Sequence, residues 1–274
     1  AGEYTNAINF IGITNPNPPI IYMQDATLAD CGKSMVDRRD HNVYSTTLIG
    51  DTCWMTKNLD LPGGTRLSSD DTDFEPTYEL PTTNGWTVEN GKLVMPASST
   101  EGFSQDNYAY VFNSGNQSTN CSAPGCYSYY SWDAATVGSG RSIATDNTDA
   151  PYSICPKGWH LPNTRTGTND TADFRKLMIV LGGSADIADY NVDTTPTGAT
   201  IFSGLSSDPL NYLRAGYYSG STFYGGGGRG YYWSATSDSG TNARYLYFDS
   251  AYVYSAYYND FRRRGFSVRC IADR

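Results

Sequence analysis

Six cysteines constrain this chain more than any other feature: Cys31, Cys53, Cys121, Cys126, Cys155 and Cys270. They are even in number, none forms a CxxC pair, and only two histidines, His41 and His160, accompany them. A zinc site of the usual Cys/His type is therefore disfavoured, and three disulfides are the expected use. Disulfides persist in oxidising compartments, which places the protein outside the cytosol, secreted or on a cell surface. The sequence starts at Ala1 with no basic or apolar leader, as expected if a signal peptide has been removed. No apolar run reaches the ~18 residues of a membrane helix, so no membrane span is expected. The net charge of −9 argues against nucleic acid, whose phosphates need Lys and Arg. The one dense basic run, Arg262–Arg264, reads as a solvated turn.

Abundant Gly, Ser, Thr, Asn and Tyr fit a loop-rich β or α+β protein. Residues 1–24 read as an arm: Tyr4, Ile8 and Phe10 lie on one face of an extended strand, Ala7, Ile11 and Ile13 on the other, and "NPNPP" (Asn15–Pro19) follows as a stiff spacer. A strand apolar on both faces wants cover on both sides. The arm is either an ordinary first strand or a segment docking into a neighbouring subunit, which would propagate head to tail into a filament. Residues 25–274 read as one domain. "VYSTTLIGDTCWMTKNL" predicts two strands joined at Gly50–Asp51 and an apolar edge at Trp54, Met55 and Leu59. Residues 60–125 predict long surface loops with short strands. Trp132, Ala135 and Thr136 stand at helical spacing. The clearest helix is "NDTADFRKLMIVLGG", capped by Asn169 or Asp170, striped by Phe174, Leu177, Met178 and Leu181, and ended by Gly182–Gly183.

Three blocks carry a family resemblance: "DRRDHNVYSTTLIGDTCWMTKNLDL" (Asp37–Leu61), "SICPKGWHLPN" (Ser153–Asn163) with the helix after it, and "YYWSAT" (Tyr231–Thr236) running to "GFSVRC" (Gly265–Cys270). Together with the lead-in Met23–Cys31 they resemble the Fibrobacter succinogenes major paralogous domain. The resemblance implies secretion and an α+β, C-type lectin-like fold related to that of formylglycine-generating enzyme, with short antiparallel strands, long loops and disulfides. It implies no settled activity. Among the many connectivities open to six cysteines, the most economical joins Cys155 to Cys270 across the longest stretch, Cys121 to Cys126 within one loop, and Cys31 to Cys53 around the first hairpin.

No catalytic constellation stands out. The formylglycine-generating fold uses active-site cysteines, but here all six have disulfide partners, and an enzyme of that type would need two of them free. His160, inside "CPKGWHLP", reads as structural, and His41 lies in a turn. Asp70, Asp71, Asp73 and Glu75 lack the spacing of an EF-hand and read as a solvated acidic loop. "GGGG" (Gly225–Gly228) lacks the Lys-Ser/Thr of a phosphate loop. Neither enzyme activity, metal nor cofactor is expected.

The tyrosines point elsewhere. About half of the 23 lie from Tyr212 onward, interleaved with Ser, Asp, Asn and Gly, the composition antibody loops use for contact. Period-2 alternation puts Tyr245, Tyr247, Tyr252 and Tyr254 outward and Leu246, Phe248 and Val253 inward. Further on, Phe266, Val268 and Cys270 share the core face and Ser267 and Arg269 oppose them. The expected result is a small aliphatic core under a tyrosine-bearing sheet. The binding face gathers Tyr217, Tyr218, Phe223, Tyr224, Tyr245, Tyr247, Asp249, Tyr252, Tyr254, Tyr257, Tyr258, Asn259 and Asp260. The pattern is similar to the variable regions of retroelement-diversified binding proteins, with Trp233, Leu246, Phe248, Gly265, Phe266, Val268 and Cys270 as fixed framework. The expected function is a non-enzymatic, adhesin-like protein that binds a protein or glycan on a cell surface. The alternative is a structural subunit of an extracellular filament, assembled as a homo-oligomer through the arm.

Overall fold

A computed structural model describes residues 20–74, 78–80, 87–89, 92–94, 111–112, 128–166, 171–184, 189–219, 222–256 and 258–273. The arm (Tyr4, Ile8, Phe10, Ile11, Ile13), Cys121, Cys126, Glu75, Asn169, Asp170 and Tyr257 lie outside the described residues.

Two antiparallel sheets organise the rest. The first runs in the order Ser34–Val36, Val43–Ile49, Thr52–Met55, Ile271–Ala272, Trp159–His160. The hairpin of Val43–Ile49 and Thr52–Met55 turns at Gly50, whose φ of 63° favours glycine. The second sheet runs Thr148–Asp149, Gly230–Ser237, Asn242–Phe248, Tyr252–Tyr254, Asp189–Asn191, and Asn259–Phe261 pairs with the front half of Asn242–Phe248. Gly230 opens the central strand where a Cβ would come within 2.3 Å of the Phe248 ring, so any side chain there forces the pair apart.

Three helices are present among the described residues. α1 (Trp132–Ala135) forms at the helical spacing of Trp132 and Ala135, capped by Ser131, whose side chain accepts from Ala134 N. α2 (Asp173–Val180) buries Phe174, Leu177 and Met178, with Leu181 half-buried beside them. Its N-terminus is fastened from outside the helix: Asn163 N donates to Asp173 Oδ2 and Asp173 N donates to Asn163 Oδ1, each at 2.9 Å. α3 (Pro196–Ser206) was not expected from the sequence. Thr195 caps it by accepting from Gly198 N at 3.0 Å, Pro196 stands in its first turn, and Ile201 and Leu205 bury one side.

The core corrects the expectation of a small aliphatic interior. The largest fully buried side chains are Trp54, Trp132, Trp233, Tyr44, Tyr129, Tyr130, Tyr212, Tyr232 and Phe174 with three arginines. Two of the buried indoles spend their N–H on backbone carbonyls: Trp233 Nε1 donates to Tyr130 O at 2.7 Å and Trp132 Nε1 to Ser234 O at 2.8 Å, whereas Trp54 Nε1 is buried without a partner among the described residues. Two clusters result. One joins Met35, Tyr44, Met55, Tyr130, Trp132, Trp233, Phe266 and the Cys155–Cys270 bridge. The other places α2 and α3 against Trp54, Tyr212, Tyr232, Leu246, Phe248 and Ile271.

Arg262 is not a solvated turn residue. It is 1% exposed, lies 4.3 Å over the Trp132 ring, and donates to Gly140 O, Ile143 O, Ser237 Oγ and Ser239 O. A guanidinium has enough donors to satisfy a ring of loop carbonyls, which is why an arginine sits here. Ser267 and Arg269 are buried too, because their strand runs between the two clusters. Arg269 stacks 4.2 Å over Tyr212 and donates to Asn58 Oδ1 at 2.8 Å.

Disulfides join Cys31 to Cys53 and Cys155 to Cys270, both as expected. Mass spectrometry of a non-reduced digest should recover both linked peptides. Removing the second bridge, which spans 115 residues, should cost about 4 kcal/mol in urea unfolding. Arg262→Ala should cost about 3 kcal/mol by orphaning buried carbonyls, whereas Arg263→Ala should stay within about 0.5 kcal/mol. Urea midpoints of the two variants check the contrast.

Candidate binding face

Register builds the face. Gly230–Ser237 and Asn242–Phe248 pair so that Tyr231 lies opposite Tyr247 and Trp233 opposite Tyr245, and Tyr247 in turn lies opposite Tyr254. Alternation sends these rings to one side, while Tyr232, Leu246, Phe248 and Val253 go to the α2–α3 side and are fully buried. The hairpin Tyr217–Ser219 / Thr222–Tyr224 adds its own rings at one end.

The result is a wall of tyrosines in unbroken ring contact. Tyr224 stacks on Tyr217 (centroids 5.4 Å apart), Tyr217 touches Tyr231 (4.7 Å), Tyr231 touches Tyr247 (5.1 Å), and Tyr247 touches Tyr254 (5.9 Å). Tyr254 then meets both Tyr252 (5.4 Å) and Tyr258 (4.7 Å). Phe266 is the floor, within 5.8 Å of Tyr217, 5.1 Å of Tyr231 and 4.9 Å of Tyr245, and stacked on Trp233 at 4.1 Å.

The outer rungs reach solvent: Tyr224 is 46% exposed, Tyr252 40% and Tyr258 38%. Tyr217, Phe223, Tyr247 and Tyr254 are half-buried between them. Two expected contact residues are instead buried. Tyr245 is only 5% exposed, because Tyr231, Phe266 and Tyr258 close around its ring. Tyr218 is buried under Tyr129 and Phe223. Tyr231 was missed: it was read only as part of "YYWSAT", although its spacing two residues before Trp233 places it on this face.

The polar members are partly spoken for. Asp249 holds its own turn, accepting from Ala251 N and Tyr252 N at 2.8 Å and from the Tyr247 hydroxyl. Asp260 accepts from Arg264 Nε at 3.2 Å, and Asn259 Oδ1 accepts from Asn242 Nδ2 at 2.8 Å. Burial, then the neighbouring Tyr258, pushes the Tyr254 phenol up to about 12. Burial, then the hydrogen bond to Asp249, raises Tyr247 as well. Both phenols thus stay protonated at neutral pH, with the Tyr247 proton held by Asp249.

Elsewhere, the acidic loop is bound rather than free: Ser68 Oγ donates to Asp71 Oδ2, and Gly158 N to Asp73 Oδ2 at 3.0 Å. Among the described residues no group of three His, Cys, Asp or Glu is placed to hold a metal ion, and no helix is long and apolar enough to cross a membrane. His41 occupies a left-handed turn with φ 58°. His160 bridges two carboxylates, Nδ1 on Asp273 and Nε2 3.4 Å from Asp173. Burial alone would lower its pKa, but hydrogen bonds and charge from Asp173 and Asp273 outweigh that and raise it to about 9.

Among the described residues, short antiparallel strands in two larger sheets and four two-stranded ones, few helices and two disulfides define a mostly β, disulfide-stapled domain that carries an aromatic wall. Residues 48–272 match the model of the Fibrobacter succinogenes major domain, and the chain belongs to that family. No curated protein and no solved structure matches it.

Two outcomes follow from this geometry. Tyr245→Ala should destabilise by about 3 kcal/mol, whereas Tyr252→Ala should stay within about 0.5 kcal/mol, measured by urea unfolding. The folded pKa of His160 lies above its ordinary 6.5, so its stabilising contribution is complete below that value and is lost as pH rises through about 9. An NMR titration of the ring should show that alkaline midpoint, and His160→Gln should abolish the matching loss of stability.

Proposed function

We propose that this is a non-enzymatic binding domain of the C-type lectin-like kind, secreted or displayed on a cell surface, that grips a protein or glycan through its tyrosine wall. The observation that carries the reading is the unbroken ring ladder from Tyr224 to Tyr252 and Tyr258, solvent-open at its ends and rigid at its floor. Rings already packed against one another lose little freedom on contact, so their apolar area is offered at low entropic cost. Exposed aromatic rings backed by packed ones are what contact surfaces use.

Residues proposed as framework, Trp233, Leu246, Phe248, Phe266, Val268 and Cys270, are fully buried, while the proposed variable rungs sit outside them. That division supports retroelement-type diversification of the face. Sequencing this region in independent isolates tests it: substitutions scattered evenly over buried and exposed positions would rule it out.

Binding is tested by adhesion of the labelled domain to glycan arrays and to intact cells. Tyr224→Ala, Tyr252→Ala and Tyr258→Ala should each weaken adhesion by about 2 kcal/mol, close to thirtyfold, with melting unchanged. If the triple variant adheres as well as the parent, the wall is not the binding face.

A further inference from the structure

A cleft of about 360 Å³ lies on the loops that follow Thr148–Asp149 and precede α2, and none of the wall's tyrosines lines it. It shares the strand Gly230–Ser237 with the wall: Tyr231 belongs to the wall, whereas Ala235, four positions on and ~13 Å further along an extended strand, lines the cleft. Trp159, Leu161 and Ala235 form its buried lining, and Asp73, Tyr152 and Asp273 its exposed margin. The Tyr152 ring is 41% exposed and is held edge-on by Phe74 at 5.6 Å, which leaves an aromatic surface facing water.

Counting donors and acceptors around the cleft gives a one-sided answer. The donors are committed. Trp159 Nε1 donates to Met23 O at 3.0 Å, and Asn163 Nδ2 to Asp149 Oδ2 at 3.0 Å. Arg165 is also on Asp149, both His160 nitrogens face carboxylates, and Lys157 Nζ donates to Ser69 O at 3.0 Å. Asp149 accepts on both oxygens, because Oδ1 takes the Thr236 Oγ1 proton at 2.7 Å. Two carboxylates in the lining keep an oxygen that accepts no bond among the described residues. Asp73 uses only Oδ2, for Gly158 N, and Asp273 uses only Oδ1, for His160. The Ser153 and Tyr152 hydroxyls can serve either way.

A ligand that enters here must therefore donate. A carboxylate or phosphate would be repelled by the open carboxylate oxygens, and a neutral hydroxyl would bond them without charge assistance. An ammonium or guanidinium satisfies both open carboxylates, gains the face of Tyr152, and lays an aliphatic stem along the apolar lining. The charges agree in sign: Asp73, Asp149 and Asp273 line the cleft against His160 alone.

We propose that this cleft is a second recognition site, which receives a lysine or arginine side chain of a partner peptide, with its stem on Tyr152 and its cationic head between Asp73 and Asp273. The site is independent of the tyrosine wall and stands whether or not that wall binds a ligand.

The test uses the whole domain and three blocked tripeptides, Gly-Lys-Gly, Gly-Gln-Gly and Gly-Glu-Gly, followed by NMR shifts of the Tyr152, Trp159 and His160 resonances at neutral pH and low salt. The lysine peptide should shift them saturably and the other two should not, with affinity falling as salt is added. Asp73→Asn should weaken the lysine peptide about tenfold, and Tyr152→Leu should weaken it too, both with melting unchanged. The tyrosine-wall triple variant should bind the peptide normally, which separates this site from the wall. Three results would overturn the proposal: equal shifts from the glutamine peptide, no effect of Asp73→Asn on lysine binding, or no saturable shift at millimolar lysine peptide. A neutral monosaccharide that saturates the same resonances more tightly would assign the cleft to sugars and overturn it equally.

Discussion

The segment Gly265–Asp273 holds the molecule together by backbone hydrogen bonds made in succession to every major part of it. Gly265 exchanges bonds with Tyr218, Phe266 with Tyr130, and Ser267 spans Tyr231 and Trp233. Val268 O then accepts from Leu59 N, Cys270 O from Met55 N, and Asp273 N donates to Gly158 O. These residues come from distant stretches of the chain, and this segment runs past all of them in turn. Phe266, Val268 and Cys270 pack into one hydrophobic cluster and Ile271 into the other, and the segment is buried from Gly265 to Ile271. Burying so much backbone is tolerable because these hydrogen bonds pair polar groups along it.

That central strand explains the dual role of tyrosine. A domain with long loops and little aliphatic content fills its interior with large rings, each needing a partner for its polar end. Tyr130 shows the solution: its hydroxyl accepts from Leu61 N at 2.7 Å and donates to Leu61 O at 3.0 Å. The same residue type continues outward from Phe266 through Tyr231 and Tyr247 to Tyr252, so core and surface are one aromatic stack. A contact made at the rim is thereby supported by packing that reaches the interior.

Local signals in the sequence were readable where the local chain decides the outcome. The first hairpin turned at Gly50–Asp51, α1 and α2 formed where spacing placed them, and Leu246, Phe248 and Val253 went inward. Two cysteine pairs closed as economy suggested. What escaped was set by distant partners. Arg262 is buried because loop carbonyls near residues 140 and 239 converge on it. Tyr245 alternates outward as read, yet Tyr258 and Phe266 arrive from later in the chain and cover it. α3 hid behind its Thr, Gly and Ser content, which resembles a turn; the Thr195-Pro196 start and the Ile201/Leu205 spacing were the signals that could have found it.

The Cys155–Cys270 bridge also fixes how the domain would respond to being stretched. A pull applied before Cys155 and after Cys270 passes straight through sulfur, bypassing the 115-residue interval between them. That interval contains α2, α3, the tyrosine wall and most of the second sheet. Each residue inside it keeps up to ~3.4 Å of contour length out of reach of the load. Shear on a surface-held copy would therefore be borne by a covalent short circuit, and the wall would keep its shape while the chain on either side was drawn taut.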